Sequence, residues 1–251
     1  MSTMRVGIVV FPGSNGDHDA QYALGEVLGQ RAELVWHTAT DLSRYDLVVL
    51  PGGFAYGDHL RAGAIARFAP AMEAVRRYAE DGGWVLGLCN GFQVLTESHM
   101  LPGALMRNAE LAFSCRWVRV RVEESRSTIM SCATPGTVWR LPIAHGEGRY
   151  FAAPETLAAL DSNNQVVLRY CAPDGTLDPQ HNPNGSSGGI AGICNREGNV
   201  LGLMPHPERA AEAILGGDDG RLFLQSVIEA WQTRKAQSPV VRLEAATTAA
   251  S

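Results

Sequence analysis

Cys89 sits between Gly87 and Gly91, two positions away on either side, in Gly87-Leu88-Cys89-Asn90-Gly91. The apolar run Trp84-Val85-Leu86 leads into it, and a segment fit for a helix follows. This G-x-C-x-G pattern is the thiol counterpart of the nucleophile elbow, a sharp strand-to-helix turn that presents a reactive side chain. The glycines have a steric reason. The turn is tight, and side chains two positions to either side would collide with the neighbouring strand and helix. A helix that begins at Asn90 aims its N-terminal dipole at the sulfur and favours the thiolate. The plainer alternative is a cysteine packed in a glycine-rich turn, which has no need of a base.

A thiolate nucleophile needs one. Of the seven histidines, His206 in Met204-Pro205-His206-Pro207-Glu208-Arg209 is the best placed. Proline biases the residue before it toward an extended backbone, so Met204 and His206 are expected to be extended. Residues i and i+2 of an extended chain share a side, which lets Glu208 bond the imidazole and fix its tautomer. Cys89, His206 and Glu208 then form a nucleophile, a base and an orienter. Acyl chemistry also needs donors for an oxyanion. The backbone N–H groups of Asn90, directly after the nucleophile, and of Gly53, in Pro51-Gly52-Gly53-Phe54, are the candidates. His145, in Ala144-His145-Gly146-Glu147-Gly148, is expected on the substrate side of the site, with a structural turn as the equal alternative. His18, His37, His59, His99 and His181 find no partner in the sequence. Pro183–Gly189 reads as a flexible loop in preference to an anion cradle.

The elements that must position these groups follow from patterning. Arg5–Phe11, Ala32–His37, Asp46–Gly53 and Trp84–Leu88 are short, apolar runs bounded by glycine, proline or polar turns, as in buried parallel strands. Helices are expected from Asp17, as a cap, to about Leu28, and from Pro70 to Asp81. The rhythm predicts an α/β fold, an open and mostly parallel sheet flanked by helices. Such sheets place their sites at the carboxyl ends of the strands. The second half differs. Arg116–Glu124 alternates apolar with charged residues, the mark of a half-exposed antiparallel strand. Val138–Gly148, Gln165–Tyr170, Gly188–Asn195 and Asn199–His206 read as further strands, and Gly220–Thr233 as a last helix. One domain over residues 5–233 is expected, followed by a disordered tail over residues 235–251.

Composition removes several function classes. The chain has 251 residues, a net charge of −5 and a single lysine, Lys235. A phosphate loop ending in Gly-Lys-Ser/Thr is therefore excluded, and a core Schiff-base lysine is disfavoured. The absence of a basic stripe argues against nucleic acid as a partner. The five cysteines form no C-x-x-C pair, so neither a metal site nor a disulfide framework is expected, in keeping with a reducing cytoplasm. No stretch approaches the roughly 20 apolar residues of a membrane span.

Taken together these residues resemble the class I, triad-type glutamine amidotransferases, and within them the glutaminase subunits of phosphoribosylformylglycinamidine synthase. The resemblance rests on FPGSNGDHDA, LPGGFAYGDHLRAGAIA, GLCNGFQVL, LPIAHGEGRY, HNPNGS and IAGICNREGNVLGLMPHPER, in that order between Phe11 and Arg209. The family carries cysteine and arginine where this chain has Gly16 and His18. The resemblance implies that Cys89 attacks the side-chain amide of glutamine, that Asn90 and Gly53 hold the oxyanion, and that Gln93 helps to bind the substrate. It further implies that ammonia passes to a separate synthetase subunit, with a third small subunit bridging the two. ATP and Mg²⁺ would belong to the synthetase, and no cofactor to this chain. Two other readings remain open from the residues. One is a thiol hydrolase acting on another amide or ester, and the other is a regulatory subunit that has lost the chemistry.

Overall fold

A computed structural model describes residues 2–237. Strands β1 (Arg5–Val10), β2 (Arg31–Trp36), β3 (Leu47–Leu50) and β4 (Trp84–Leu88) alternate with helices α1 (Asp17–Tyr22) and α2 (Pro70–Glu80). Helix α3 (Asn90–Glu97) follows directly from β4. Then come β5 (Ala104–Met106), β6 (Ser114–Val122), β7 (Val138–His145), β8 (Arg149–Phe151), α4 (Pro154–Ser162), β9 (Val166–Tyr170), β10 (Ile190–Cys194), β11 (Val200–Leu203) and α5 (Asp219–Gln237).

Nine strands form one sheet in the order β2-β1-β3-β4-β11-β10-β9-β6-β7, and β5 pairs with β8 apart from it. The first five strands, β2 to β11 in this order, pair in parallel. From β10 onward every pairing is antiparallel. The division matches the change from continuous to alternating hydrophobic patterning. Strands β3 and β4 are buried throughout, because helices cover both faces of the sheet. Val6, Ile8, Leu47, Val49, Leu86 and Leu201 pack on one face with Phe223, Leu224 and Val227 of α5. Val9, Val48, Leu50 and Val85 pack on the other with Met72 and Val75 of α2 and Phe92 and Leu95 of α3.

Several elements depart from expectation. Asp17 does not cap α1. Gly16 holds that position, no side chain caps the helix, and Asp17 is its buried first residue. Beyond Tyr22 the helix widens into a different turn over Ala23–Val27 before ending. The strand expected to reach the glycine pair stops at Leu50, which leaves Pro51-Gly52-Gly53 as loop. Helix α5 runs past Thr233 to Gln237 and so absorbs the first three residues of the expected tail. The rest of that tail, residues 238–251, lies outside the described residues. Pro183–Gly189 is not a loose loop. Asn184 and Ser186 are buried, the Asn184 amide donates to the Gly148 carbonyl at 2.8 Å, and the Ser186 hydroxyl accepts from Tyr150 N–H at 3.0 Å. Its polar side chains brace the segment that carries His145.

Candidate active site

The parallel strands β3, β4 and β11 end at one edge of the sheet, and the chain leaving each of them supplies part of one cleft. Cys89 follows β4 in a positive-φ backbone conformation, φ 49° and ψ −101°. That geometry costs a non-glycine residue about 1–3 kcal/mol and is typical of functional positions. It is held by the Cys89 N–H, which donates to the Leu203 carbonyl at 2.8 Å, and by α3, which starts at the next residue. The flanking glycines are required sterically. A Cβ on Gly91 would strike the Leu50 carbonyl, and one on Gly87 would lie 2.6 Å from Leu95 Cδ1.

His206 follows β11 after two residues and is anchored by its N–H, which donates to the Pro142 carbonyl of β7 at 2.9 Å. Its Nδ1 donates to Glu208 Oε1 at 2.6 Å. The expected pair therefore forms, but by a different route. Pro207–Ala210 is a short helical turn, so Glu208 folds back on the imidazole instead of continuing an extended chain. Both residues are buried, and His206 Nε2 has no hydrogen-bond partner among the described residues. Gly52 shows how close the groups lie. A Cβ there would stand 2.7 Å from His206 Cε1 and 3.7 Å from Cys89 Cβ. Burial works against an imidazolium, but the Glu208 carboxylate and the Cys89 sulfur outweigh it and raise the His206 pKa to about 10. A proton taken from the thiol thus has a stable place on His206 at neutral pH.

The glycine loop after β3 is pinned from the first loop of the chain. Gly52 O accepts from Asn15 and Gly16 N–H at 3.2 and 3.0 Å, and Phe54 N–H donates to Gly13 O at 2.9 Å. Gly53 between them has φ 145°, and a Cβ there would lie 2.7 Å from Ser14 Cα. Its own N–H donates to no group among the described residues. Asn90 is the first residue of α3, where an N–H has no acceptor within the helix. Both N–H groups expected to serve an oxyanion are thereby uncommitted.

A cavity of about 170 Å³ opens beside Cys89, with Gly53, Gln93 and His145 in its wall. That is small beside the pockets of drug-sized ligands, and suits one small polar molecule. Gln93 is committed within the protein. Its amide donates to the Glu147 carbonyl at 2.7 Å and accepts from Asn90 Nδ2 at 2.9 Å. These bonds brace the wall and use one of the two amide N–H groups. His145 is buried, with Nδ1 at 3.1 Å from Asn108 Oδ1. Burial, and the charge of His206 nearby, lower its pKa to about 4 and keep it neutral. Two residues of this wall, Asp58 and Glu147, lie within the segments already marked by the sequence but carry no signal of their own there. The remaining histidines stay outside the cleft's wall, and His37 bonds the Tyr56 hydroxyl at 2.9 Å.

The family of CobB/CobQ-like glutamine amidotransferase domains matches residues 3–217. The chain is 58% identical, over 91% of its length, to phosphoribosylformylglycinamidine synthase subunit PurQ of Moorella thermoacetica, 97% of which is spanned. It is 61% identical, over 90% of its length, to the protein of the same name from Thermomicrobium roseum, 95% of which is spanned. Among solved structures it resembles a chain in the structure of PurLQS from Thermotoga maritima. The identity is 41% and the TM-score 0.79, covering 91% of this chain and 99% of that one. A glutamine amidotransferase from Thermotoga maritima shares the fold at a TM-score of 0.54 and 16% identity, covering 98% of this chain and 91% of its own.

Proposed function

The chain belongs to the CobB/CobQ-like glutamine amidotransferases and, among them, to the PurQ subunits of phosphoribosylformylglycinamidine synthase, and from that premise we propose how its own residues do the work. It is the glutaminase subunit that frees ammonia from glutamine for the ATP-dependent conversion of formylglycinamide ribonucleotide to the amidine, in purine biosynthesis. Its partners are a synthetase and a third, small protein of the same complex. ATP and Mg²⁺ fall to the synthetase in this reading, and the complex works in the cytoplasm. No helix among the described residues is long and apolar enough to cross a membrane.

The observation that carries the assignment of roles is the buried Nδ1–H···Oε1 bond between His206 and Glu208, which leaves Nε2 unpartnered among the described residues, with His206 and Cys89 both close to Gly52. The Cys89 thiolate attacks the side-chain amide carbon of glutamine, forming a C–S bond. The carbonyl oxygen takes the negative charge, and the Gly53 and Asn90 N–H groups stabilise it. Collapse breaks the C–N bond as the His206 imidazolium protonates the leaving nitrogen, which departs as ammonia. A γ-glutamyl thioester remains. Water then attacks it, His206 takes a proton from that water, the C–S bond breaks, and glutamate leaves. Glu208 holds the imidazole in the productive tautomer throughout.

The test is the mass of the protein after treatment with an electrophilic glutamine analogue, in the complex with its synthetase. An adduct confined to Cys89 among five cysteines, and prevented by glutamine, is expected. Labelling elsewhere, or labelling indifferent to glutamine, would refute the assignment.

A further inference from the structure

One face of the antiparallel half of the sheet carries two pairs of arginines set directly opposite each other. Arg121 of β6 faces Arg169 of β9, and Arg119 of β6 faces Arg140 of β7. Residues paired across an antiparallel ladder share a face at close range, and like charges there repel. The first pair is neutralised from within the fold. Glu123 accepts from Arg121 Nε at 2.8 Å and Nη2 at 3.2 Å, and its Oε2 lies 3.7 Å from Arg169 Nε. Asp161 adds a contact to Arg169 at 2.5 Å. Two carboxylates thus answer two guanidinium groups.

The second pair has no such answer. Among the described residues no carboxylate forms an ion pair with Arg119 or Arg140. The Arg140 guanidinium donates to the Gly216 carbonyl at 2.9 Å and lies 4.3 Å from the centre of the Trp117 ring. Asp219 accepts from the backbone N–H of Arg140, at 2.7 Å. A pocket of about 160 Å³ opens beside Arg119. Arg116, Trp117, Gln180 and His181 line it with Arg119, and no aspartate or glutamate does. Arg116 Nη2 donates to the Pro183 carbonyl at 3.0 Å, and His181 lies 3.5 Å from Asp178. A guanidinium carries five N–H donors in a fixed fork that matches the oxygens of a carboxylate or phosphate. The pocket shares no lining residue with the cavity beside Cys89.

We infer that the pocket beside Arg119 is a phosphate site, in which a bound phosphate group does for Arg119 and Arg140 what Glu123 does for Arg121 and Arg169. Charge favours phosphate over a single carboxylate. A phosphate group carries about −1.5 to −2 at neutral pH, enough to answer two guanidinium groups, where a carboxylate answers one. Its further oxygens leave acceptors for Arg116 and Gln180. The group enters as free phosphate or at the end of a sugar phosphate. This site stands apart from the chemistry at Cys89 and does not depend on it.

The experiment is a calorimetric titration of the full chain with inorganic phosphate and, separately, with ribose 5-phosphate, at constant ionic strength set by chloride. Saturable binding is expected, with a dissociation constant on the order of 1 mM. The melting temperature should rise with phosphate concentration accordingly. Equal constants for the two ligands identify the bare group as the occupant. Binding of ribose 5-phosphate tighter by about tenfold identifies a sugar phosphate, and either result supports the site. Arg119→Gln should weaken binding by about tenfold or more, while Arg31→Gln, on the far edge of the sheet, leaves it unchanged. Arg119→Glu sets a carboxylate opposite Arg140. It should abolish binding and raise the melting temperature measured without phosphate. No saturable binding overturns the inference, and so does an Arg119→Gln chain that binds as the unmodified one does. An Arg119→Glu chain that melts below the unmodified one shows that the opposed pair carries no unanswered repulsion, and overturns it as well.

Discussion

The two sides of the cleft are built in different ways. Cys89, His206 and Glu208 leave the ends of adjacent parallel strands, and each is tied by backbone hydrogen bonds to the sheet or to itself within a turn. The facing wall comes from the loop after Gly53. There Tyr56, Gly57, Asp58 and Leu60 all have positive φ, at 54°, 70°, 51° and 72°. For the three non-glycine residues this conformation costs about 1–2 kcal/mol each. The loop is held at a few points, among them the Tyr56 hydroxyl on His37 and the Glu147 carboxylate on Ala62 N–H. Its tip is open, with Leu60 90% exposed. The difference teaches a division of labour. Groups that move protons sit on strand ends, where a misplacement is resisted by the sheet. Groups that line the facing side of the cavity sit on a strained loop, where a few contacts set the geometry. Changes to the floor should therefore appear in kcat, and changes to the wall in KM.

The sharpest way to break that division is at the buried pair. His206→Ala removes the proton carrier and leaves Glu208 as an unpaired buried charge. Glutamine-dependent synthesis should fall by about 10³-fold or more, and the protein should lose about 3–5 kcal/mol of stability. Glu208→Gln keeps the shape but not the charge, and should cost about 10²-fold or more in kcat with KM for glutamine little changed. Ammonia-dependent synthesis by the complex should survive in both. Steady-state kinetics with each nitrogen source, together with a thermal melt, tests this. A Glu208→Gln complex with full kcat would show that the floor does not work as a triad.

A smaller effect comes from crowding the floor without altering its chemistry. In Gly52→Ala the new Cβ would begin 2.7 Å from His206 Cε1, inside contact distance. The imidazole must give way, and a displacement of about 1 Å in a reacting group costs on the order of 10² in rate. Gly29→Ala is the control, since Gly29 has positive φ but nothing lies within 4 Å of its Cβ position. It should lower stability slightly and leave kcat alone. Equal kcat losses in the two variants would mean that backbone strain, and not the ring of His206, is what the rate depends on.

The floor was legible in the sequence, and so were Gly53, Gln93 and His145 of the wall, but Asp58 and Glu147 were not. Cys89 is marked by glycines two residues away, and His206 and Glu208 by prolines between and before them, so the signals are local. The parallel strands announced themselves because burial on both faces leaves continuous apolar runs. Asp58 meets Asn90 and Glu147 only after the chain has returned from 32 and 89 positions further on, and no local pattern encodes that meeting. Helix α4 was missed although Pro154 and Glu155 mark its start. Leu160 is its only buried residue, so it has almost no apolar stripe to read. The turn at Pro207–Ala210 was missed because proline restricts the residue before it but opens a helical turn equally well after it.

The smallest effect is the one that separates the two regions by pH alone. His206, raised to about 10, stays charged from about pH 5 to 8, and His145, lowered to about 4, stays neutral there. The floor is therefore constant across this window. Asp58, raised to about 6, titrates within it. It faces Glu147 and the Asn90 amide, with His59 next to it in the chain and Arg61 turned toward Glu97. The sign is the reverse of the usual carboxylate. Because the folded-state pKa lies above the unfolded value of 3.8, the fold binds the proton more tightly. Asp58 then contributes stability at low pH that is lost as pH rises through about 6. Asp58 also lines the cavity beside Cys89, so its ionisation should be felt in the binding of glutamine. The kcat/KM for glutamine should change as pH passes through about 6, through KM, and level off on either side, while kcat stays constant. Asp58→Asn should remove that dependence and leave the remaining profile flat over the window. A change that persists in Asp58→Asn, or one that appears in kcat, would place the titrating group in the floor and erase the distinction between the two regions.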